Sequence, residues 1–163
     1  MTFEEFQTNV QEWSTARGIY EHSTALAQAL KAVSEVGELA DATIKNDIAE
    51  LKDAIGDVAV CWVNVAYMMH IEVDQQYITT VNCGKPSILG SAALASRGIA
   101  VVASGIAINY LAPVLLDEAF MYLRACAIAN NLDFLDCCSA AWDEIKDRKG
   151  HMVAGGAFVK ELD

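Results

Sequence analysis

The amino-acid sequence predicts an all-α protein: a bundle of about four or five principal helices that assembles into an oligomer. Hydrophobic residues make up 54% of the 163 residues, whereas proline occurs only twice and glycine ten times. This composition is typical of helical globular proteins and differs from that of disordered chains. A chain of this length fits one domain, and we find no internal repeat, so residues 1–163 are predicted to form a single unit.

Caps and apolar spacing predict the first two helices. Thr2-x-x-Glu5 has the pattern of a capping box, and the apolar residues after it recur at helical spacing until Gly18. Ser23 or Thr24 can cap a second helix. The predicted apolar side of this second helix is formed by Leu26, Leu30, Val33 and Leu39.

A third helix begins near Asp47 or Ile48, where the second ends, and continues to about His70. Its second half is apolar nearly all round, which indicates a central position in the bundle. After it, Gly, Pro and Ser in residues 83–91 predict a loop.

The remaining chain is again predicted to be mainly helical. A long helical region extends from about Ala92 to Asn130, and it is kinked or split where Pro113 removes a backbone donor. A last helix ends at Gly150, and the tail of residues 151–163 is either a short strand or an ordered arm over a neighbouring subunit.

Charge and cysteine usage narrow the functional classes. The formal net charge of -11 repels phosphate backbones, so a nucleic-acid polymer is not an expected partner, and a phosphate compound would need a divalent cation. The five cysteines form no CxxC pair, which favours reduced core thiols. The N-terminus has no basic region followed by an apolar one, so we expect no secretory signal and a cytoplasmic location.

One uncharged segment, residues 98–116, meets the length criterion for a membrane span. Polar residues and Pro113 dilute it, and no basic cluster flanks it. We therefore expect no membrane partner and a helix buried in the bundle or in a subunit interface. Residues 58–71 are also uncharged at neutral pH, and this excess of apolar helix predicts a homodimer or homotetramer.

Residues 35–57 contain seven carboxylates at helical spacing. With about 100° of rotation per residue, Glu35 and Glu38 lie on one side of the second helix, and Glu50, Asp53 and Asp57 lie within about 60° on the third. Like charges at these spacings repel each other unless a cation neutralises them, and oxygen ligands suit Mg²⁺ or Mn²⁺.

The alternative is that these acids form solvated helix faces with Lys45 and Lys52 as partners. Gly37 and Gly56 favour the metal site. Glycine lowers the stability of a helix, so its presence beside the acids indicates that the two helices approach each other closely there. A di-iron site is disfavoured, since no Glu-x-x-His pair occurs.

A second group of charges lies in residues 144–150. Lys146, Arg148 and Lys149 follow one another at the end of the last helix. Two interpretations remain open for them: they stabilise the helix dipole, or they bind the phosphates of a nucleotide.

Several motifs taken together resemble the MazG-like all-α nucleotide pyrophosphohydrolases, with phage-type members the most similar. They are Gln28-x-x-Lys31, Glu35-Val-Gly-Glu38-Leu, Lys52-Asp-Ala-Ile-Gly-Asp57-Val, Asn64 and Glu144-Ile-Lys-Asp-Arg-Lys-Gly150. The motifs frame most of the chain but leave about residues 75–130 unmatched.

The resemblance implies Mg²⁺-dependent hydrolysis of an NTP or dNTP between the α and β phosphates, giving the monophosphate and pyrophosphate. Glu35 and Glu38 match the first pair of metal ligands and catalytic acids, and Asp57 matches the second motif. Ala54 stands where many members have a glutamate, so Asp53 is predicted to substitute for it on the same helix face. Glu50 is an outer-shell or alternative ligand.

The resemblance also implies a phosphate-binding role for some of the cations. Substrate-binding residues are predicted at Lys31, Asn64, Lys146, Arg148, Lys149 and Trp13. Asn64 and Trp13 can equally be a satisfied core amide and a core ring. The rival function is a catalytically silent protein of the same fold that binds a nucleotide or a partner protein. The expected setting is the bacterial cytoplasm, including that of a phage-infected host.

Overall fold

The computed structural model describes residues 1–84 and 86–161, and helices form most of this part of the chain, which confirms the all-α prediction. The elements are α1 (Phe3–Ala16), α2 (Ile19–His22), α3 (Ala25–Lys45), α4 (Ile48–Met68), α5 (Gln75–Thr80), α6 (Ile88–Ala107), α7 (Pro113–Ala129), α8 (Phe134–Ile145), β1 (Gly150–Met152) and β2 (Phe158–Lys160). Lys85, in the predicted loop, and Leu162 and Asp163, at the end of the predicted tail, lie outside the described residues.

The caps predicted from the sequence are present. Thr2 and Glu5 form both halves of the capping box of α1. The Thr24 hydroxyl accepts the backbone N–H of Ala27 at 3.1 Å and begins α3. The Asp47 carboxylate accepts two backbone N–H groups at the start of α4. These local hydrogen bonds explain why the predicted bounds of the first three principal helices agree with the structure.

The second half of the chain differs from the prediction in its boundaries. Ser87 caps α6, so residues 88–91, predicted as loop, are helical. Pro113 occupies the first turn of α7, which confirms a split at that proline. The described chain therefore has six helices of twelve or more residues instead of four or five. Two short helices, α2 and α5, were not predicted, and α8 ends at Ile145 instead of Gly150.

Helix α4 lies at the centre of the bundle, as predicted. It contacts α1, α3, α7 and α8, and its second half is buried almost without interruption around Trp62. Gly56 permits the close approach of α8, because a Cβ atom there would lie 2.6 Å from the Ala141 Cβ and 2.6 Å from the Cys137 carbonyl oxygen. The predicted role of Gly56 in helix packing is therefore confirmed.

Helix α3 buries a different face from the predicted one. Its buried apolar residues include Ala29, Ala32, Val36 and Leu39. Leu26, Leu30 and Val33 are exposed, so this part of the predicted apolar side was wrong. Gly37 is exposed too, and a Cβ atom there would meet nothing within 4 Å, so its predicted contact with a neighbouring helix is not made. The small alanines let α4 and α6 pack closely on α3, which leaves the larger side chains outside.

The uncharged segment of residues 98–116 is not one continuous helix. It contains the end of α6, an irregular connection at residues 108–112 and the start of α7. Among the described helices, α6 itself is long and apolar enough to cross a membrane by length and composition, with a hydropathy of 1.4 over its most apolar stretch. Only 39% of that stretch is buried inside this chain, although α6 packs on α3 and α7.

Candidate functional site

A cavity of about 170 Å³ lies where α1, α3, α4 and the end of α8 meet the β1–β2 hairpin. Its walls are formed by Trp13, Ile19, Ala27, Gln28, Lys31, Glu35, Asp57, Val60, Cys61, Asn64, Ile145, Arg148 and residues 155–158. The hairpin turn closes one side. Gly156 has a φ of 76°, and a Cβ atom there would lie 3.2 Å from the Ser23 Cα atom, so the turn packs directly against the start of α3. Elements from both ends of the chain therefore build one site.

Two carboxylates, Glu35 of α3 and Asp57 of α4, form the acidic wall of the cavity. Glu35 is 4% exposed, and Asp57 is half-buried. Burial and the neighbouring Glu35, Asp53 and Glu144 carboxylates raise the pKa of Asp57 from 3.8 to about 7, and Arg148 opposes this rise. The structure therefore gathers more negative charge here than the nearby cations neutralise.

Asp53 lies one turn before Asp57 and belongs to the same acidic cluster. Burial, followed by the negative charges of Glu144, Glu50 and Glu35, raises its pKa from 3.8 to about 6. Helix α8 thus contributes an acid, Glu144, to the group that was predicted on α3 and α4. The sequence signal for it was present, because Glu144 begins the cationic motif of residues 144–150.

Two cations lie among these acids. Lys31 forms an ion pair with Glu35, one turn along α3, and Arg148 forms an ion pair with Glu144. Partial burial lowers the pKa of Lys31, but the hydrogen bond and charge of Glu35 outweigh burial and raise it overall. Both cations line the cavity, so each can contact an anionic ligand as well as its carboxylate partner.

Arg17 organises the chain around Arg148 without lining the cavity itself. Its guanidinium donates to the backbone carbonyl of Arg148 at 2.9 Å and to that of Lys146 at 3.2 Å. The same group lies 4.7 Å above the Trp13 ring. Arg17 therefore satisfies carbonyls that follow the end of α8 and ties this segment to α1. Because these contacts are made over 129 and 131 residues of sequence, the sequence alone did not indicate them.

A network of side-chain hydrogen bonds holds the amides of Asn64 and Gln28 in the cavity wall. The Asn64 carbonyl oxygen accepts from the Ser14 hydroxyl at 2.8 Å and from the Tyr20 hydroxyl at 2.9 Å. The Asn64 NH₂ group donates to the Gln28 carbonyl oxygen at 3.0 Å, and Gln28 donates to the Ser23 hydroxyl at 3.1 Å. Asn64 is thus a satisfied amide that also lines the cavity. Its predicted role in substrate binding stays a prediction.

Part of the cavity lining is apolar and aromatic. The Trp13 and Phe158 rings meet edge to face, with their centroids 5.5 Å apart. The buried Trp13 Nε1 group has no hydrogen-bond partner among residues 1–84 and 86–161. Burial, together with the charges of Glu35 and Asp57, raises the pKa of the Cys61 thiol, which keeps it neutral. Charged and apolar side chains therefore line the same cavity.

The structure brings together most of the predicted site residues but not all. Trp13, Lys31, Glu35, Asp57, Asn64 and Arg148 line the cavity, and Asp53 lies beside it in the acidic cluster. Glu38, Glu50, Lys146 and Lys149 are exposed and are not among its lining residues. Lys146 instead pairs with Asp143 at 2.7 Å, and the Lys149 carbonyl accepts the Glu161 N–H at 3.0 Å.

Sequence reasoning did not assign several residues that line or support the site. They are Gln28, Cys61, Ile19, Phe158, Ser14, Tyr20, Arg17 and Glu144. Gln28 had a signal, since it lies two turns before Glu35 on the same helix face. Glu144 also had a signal, as the first residue of the cationic motif, whereas the others depend on long-range packing.

The predicted Mg²⁺ ion requires several oxygen donors close together. Within the described chain, no three His, Cys, Asp or Glu side chains converge tightly enough to hold a metal ion. The donors are nevertheless of the right kind, because Glu35, Asp53, Asp57 and Glu144 offer carboxylate oxygens. Burial, followed by the charges of the neighbouring acids, raises the pKa of Asp57, and a divalent cation would relieve the repulsion between these acids. The chemistry of the donor set therefore fits the ion.

The chain resembles a known protein over part of its length. It is 38% identical over 64 residues to a protein described as "Uncharacterized 18.2 kDa protein in rep-hol intergenic region", from Haemophilus phage HP1. The match covers 39% of this chain and 39% of the phage protein. No family model and no solved structure matches the chain. The comparisons thus relate it to a phage protein, and its function has to be argued from the site.

Proposed function

We propose that the protein is a Mg²⁺-dependent nucleoside triphosphate pyrophosphohydrolase, which converts an NTP or dNTP to the monophosphate and pyrophosphate. The observation that carries the proposal is a single cavity lined by the carboxylates of Glu35 and Asp57, by two cations and by the Trp13 ring. This combination suits a ligand that has both an anionic and an aromatic part. The resemblance of the sequence motifs to MazG-like enzymes gives the same expectation and rests on several of the same residues.

The acidic cluster is the proposed metal site. Glu35, Asp53 and Asp57 would hold the ion, with Glu38 and Glu50 as the more exposed members of the ligand set that the resemblance implies. Mn²⁺ has the same oxygen preference and could replace Mg²⁺. When bound, the divalent cation would neutralise phosphate oxygens and lower the pKa of a bound water.

The remaining chemistry is assigned to side chains of the chain itself. Hydrolysis adds one water: its oxygen bonds to the α phosphorus, and the bond from that phosphorus to the bridging oxygen breaks, so pyrophosphate leaves. One carboxylate of the acidic cluster is the proposed acceptor of the proton from water. Lys31 and Arg148 would stabilise the charge that develops on the leaving pyrophosphate.

The part of the cavity that Trp13 and Phe158 line is the proposed place for the base of the nucleotide. Trp13 and Phe158 offer aromatic surface, and Gln28 and Asn64 offer amides that their hydrogen bonds hold in one orientation. A preformed wall of this kind binds a planar ligand without ordering flexible side chains.

Pyrophosphate release from the eight common NTPs and dNTPs, with Mg²⁺ and with EDTA, tests the proposal. We expect metal-dependent turnover of at least one nucleotide. Glu35→Gln should abolish it, because this buried acid lies at the centre of the cluster, and Glu38→Gln should reduce it. Glu12→Gln, on the exposed side of α1, is the matched control and should leave turnover unchanged. Full activity in the Glu35 and Glu38 variants would contradict the assignment.

A second function, nucleotide or protein binding without turnover, is favoured by one observation. Glu35 and Glu144 already pair with Lys31 and Arg148, so cations of the chain itself compensate part of the acidic cluster. Ala54, where related enzymes have a glutamate, points in the same direction. Binding of a nucleotide by calorimetry, with no pyrophosphate release from any of the eight nucleotides, would establish this alternative.

The proposal includes a setting. The partial identity to a phage protein favours a role during phage infection, in the cytoplasm of the bacterial host. Changing the nucleotide pool would be a natural function there.

A further inference from the structure

Helix α3 carries an apolar stripe on the side that faces away from its own bundle. The stripe consists of Leu26, Leu30, Val33, Gly37, Ala40 and Ile44. Its members follow one another at alternating steps of four and three residues, which is the spacing of a coiled-coil seam. Leu30 is 59% exposed and Ile44 is 74% exposed, so the described chain does not cover the stripe.

The stripe lies opposite the candidate site. Glu35 follows Leu26 by nine residues, which at about 100° per residue places the two side chains about 180° apart on α3. Helix α3 can therefore bind a partner along the stripe while the cavity stays open to its ligand.

We propose that the stripe binds the same stripe of a second copy of this chain, with the two α3 helices antiparallel and the two-fold axis crossing the stripe at the level of residue 35. This assembly does not depend on the proposed function. The partner is a second copy of the chain because the stripe is complementary to itself in this orientation.

Self-complementarity follows from the order of large and small residues. A two-fold axis at residue 35 places Leu30 opposite Ala40 of the second copy, and Val33 opposite its Gly37. These two contacts, at the centre of the stripe, each pair a large residue with a small one, which fills the space between the helices there. At the ends of the stripe Leu26 lies opposite Ile44 of the second copy, so two large apolar side chains meet. Parallel helices would instead place Gly37 against Gly37 and leave a gap. The open space around Gly37 in the single chain is where Val33 of the second copy would fit.

The neighbouring helix α6 enlarges the contact surface. It packs beside α3 and exposes Leu89, Ala93, Ser96, Ala100, Ser104 and Ala107 along its outer face. Arg97 is turned toward Tyr122 of α7, to whose hydroxyl it donates at 2.9 Å. Two adjacent helices about 30 Å long and about 10 Å wide give a face of about 600 Å² on each copy. About 1,200 Å² in total reaches the range of specific protein interfaces.

Charge opposes association elsewhere on the surface but not on the stripe. The net charge of -11 makes two copies repel each other, whereas none of the six stripe residues is ionisable. Asp41, beside the stripe, already pairs with Lys45 at 3.1 Å. Because salt screens the long-range repulsion, raising the salt concentration should strengthen self-association.

Sedimentation equilibrium of the purified chain tests the proposal. We expect the wild type to self-associate at micromolar concentration, and Leu30→Glu to raise the dissociation constant by about 30-fold or more. Thr8→Glu adds the same charge at an exposed position of α1 and should leave the constant unchanged. Circular dichroism and thermal unfolding check that both variants remain folded. A monomeric wild type, or association that Leu30→Glu leaves intact, would refute the interface.

Cysteine cross-linking tests the orientation. In a Cys83→Ser background, Val33→Cys and Gly37→Cys are prepared as two separate proteins. We expect a disulfide between copies when the two proteins are mixed, and little when either is oxidised alone. Efficient cross-linking of Val33→Cys with itself would instead indicate parallel helices and overturn the proposal.

The same apolar face can also be tested against lipid. Vesicles of phosphatidylcholine and phosphatidylglycerol are floated with the protein, and we expect the protein to stay at the bottom of the gradient. Flotation that Leu30→Glu abolishes, together with a monomeric wild type in solution, would assign the face to a membrane and refute the second copy.

Discussion

Asp57→Asn should stabilise the fold while it removes activity. The substitution keeps the size of the side chain and removes the negative charge of the half-buried carboxylate. That carboxylate lies among Glu35, Asp53 and Glu144, and burial with their charges raises its pKa to about 7. A neutral amide is not repelled by these acids. The repulsion within the acidic cluster thus lowers the stability of the fold, as is common where charged groups are kept together for a function.

The magnitude follows from the shift in pKa. The rise from 3.8 to about 7 corresponds to about 4 kcal/mol, at 1.36 kcal/mol for each pH unit. Above pH 7 the carboxylate of Asp57 is ionised in the folded and the unfolded chain, so the folded state bears the full penalty. As the pH falls below 7, Asp57 is protonated in the folded chain before it is protonated in the unfolded chain. The free energy of unfolding therefore rises until the pH reaches the pKa of the unfolded chain, near 3.8. Since the acids share the repulsion, we expect about half of the total, about 2 kcal/mol, from Asp57→Asn at pH 8.

Urea unfolding at pH 5 and pH 8, in the presence of EDTA, measures this effect. The wild type should be more stable at pH 5 than at pH 8 by about 1.3 kcal/mol, because only the part of the shift that lies between pH 7 and pH 5 is regained. Asp57→Asn should remove most of this difference. At pH 8 the variant should be the more stable protein. Adding Mg²⁺ should then stabilise the wild type, since it binds the acidic cluster, and should have a smaller effect on the variant.

The control is Glu12→Gln, which removes a charge from an exposed position of α1, outside the acidic cluster, and should change stability at pH 8 by less than about 0.5 kcal/mol. A less stable Asp57→Asn protein at pH 8 would refute the reasoning, because it would mean that the ionised carboxylate is stabilised by Lys31 and Arg148 more than it is repelled.

Three further predictions follow from the site and the packing. Arg148→Ala should weaken triphosphate binding by about tenfold or more in calorimetry, because Arg148 lines the cavity, whereas Lys146→Ala should not. Equal effects of the two variants would mean that both residues only stabilise the end of α8. Asp53→Asn should lower the Mg²⁺-dependent rate of pyrophosphate release by about 100-fold, and an unchanged rate would remove Asp53 from the metal site. In thermal unfolding of the dilute, monomeric chain, Gly37→Ala should raise the free energy of unfolding by about 0.5–1 kcal/mol, because its Cβ meets open space. Gly56→Ala should lower it by about 1–3 kcal/mol, because its Cβ would overlap α8. A more stable Gly56→Ala and a less stable Gly37→Ala would contradict the packing described.

The interactions that the sequence alone revealed are the local ones. Thr2, Thr24 and Asp47 cap helices through hydrogen bonds to backbone groups two or three residues away, so the sequence contains all the information needed for them. The same holds for the angular grouping of Asp53 and Asp57, which depends only on helix geometry. The all-α class, the central third helix and the core of the acidic cluster were accordingly predictable.

Tertiary structure decided which face of each helix is buried. Leu30 is more hydrophobic than Ala32, yet Ala32 is buried and Leu30 is exposed, because the close approach of the neighbouring helices selects small side chains. Gly37 and Gly56 look alike in the sequence, and only Gly56 has another helix against it. The spacing of apolar residues cannot distinguish a face that packs within the chain from one that is left for a partner.

Tertiary structure also completed the site. Glu144 and Arg148, from the C-terminal part of the chain, join the acids of α3 and α4, and Arg17 holds that part in place through two backbone carbonyls. Phe158 reaches Trp13 by way of the hairpin. The sequence by itself therefore determined the helices and the kinds of charged group available. Which of those groups share a cavity was decided by long-range packing, since contacts between residues more than a hundred positions apart leave no periodic pattern in the sequence.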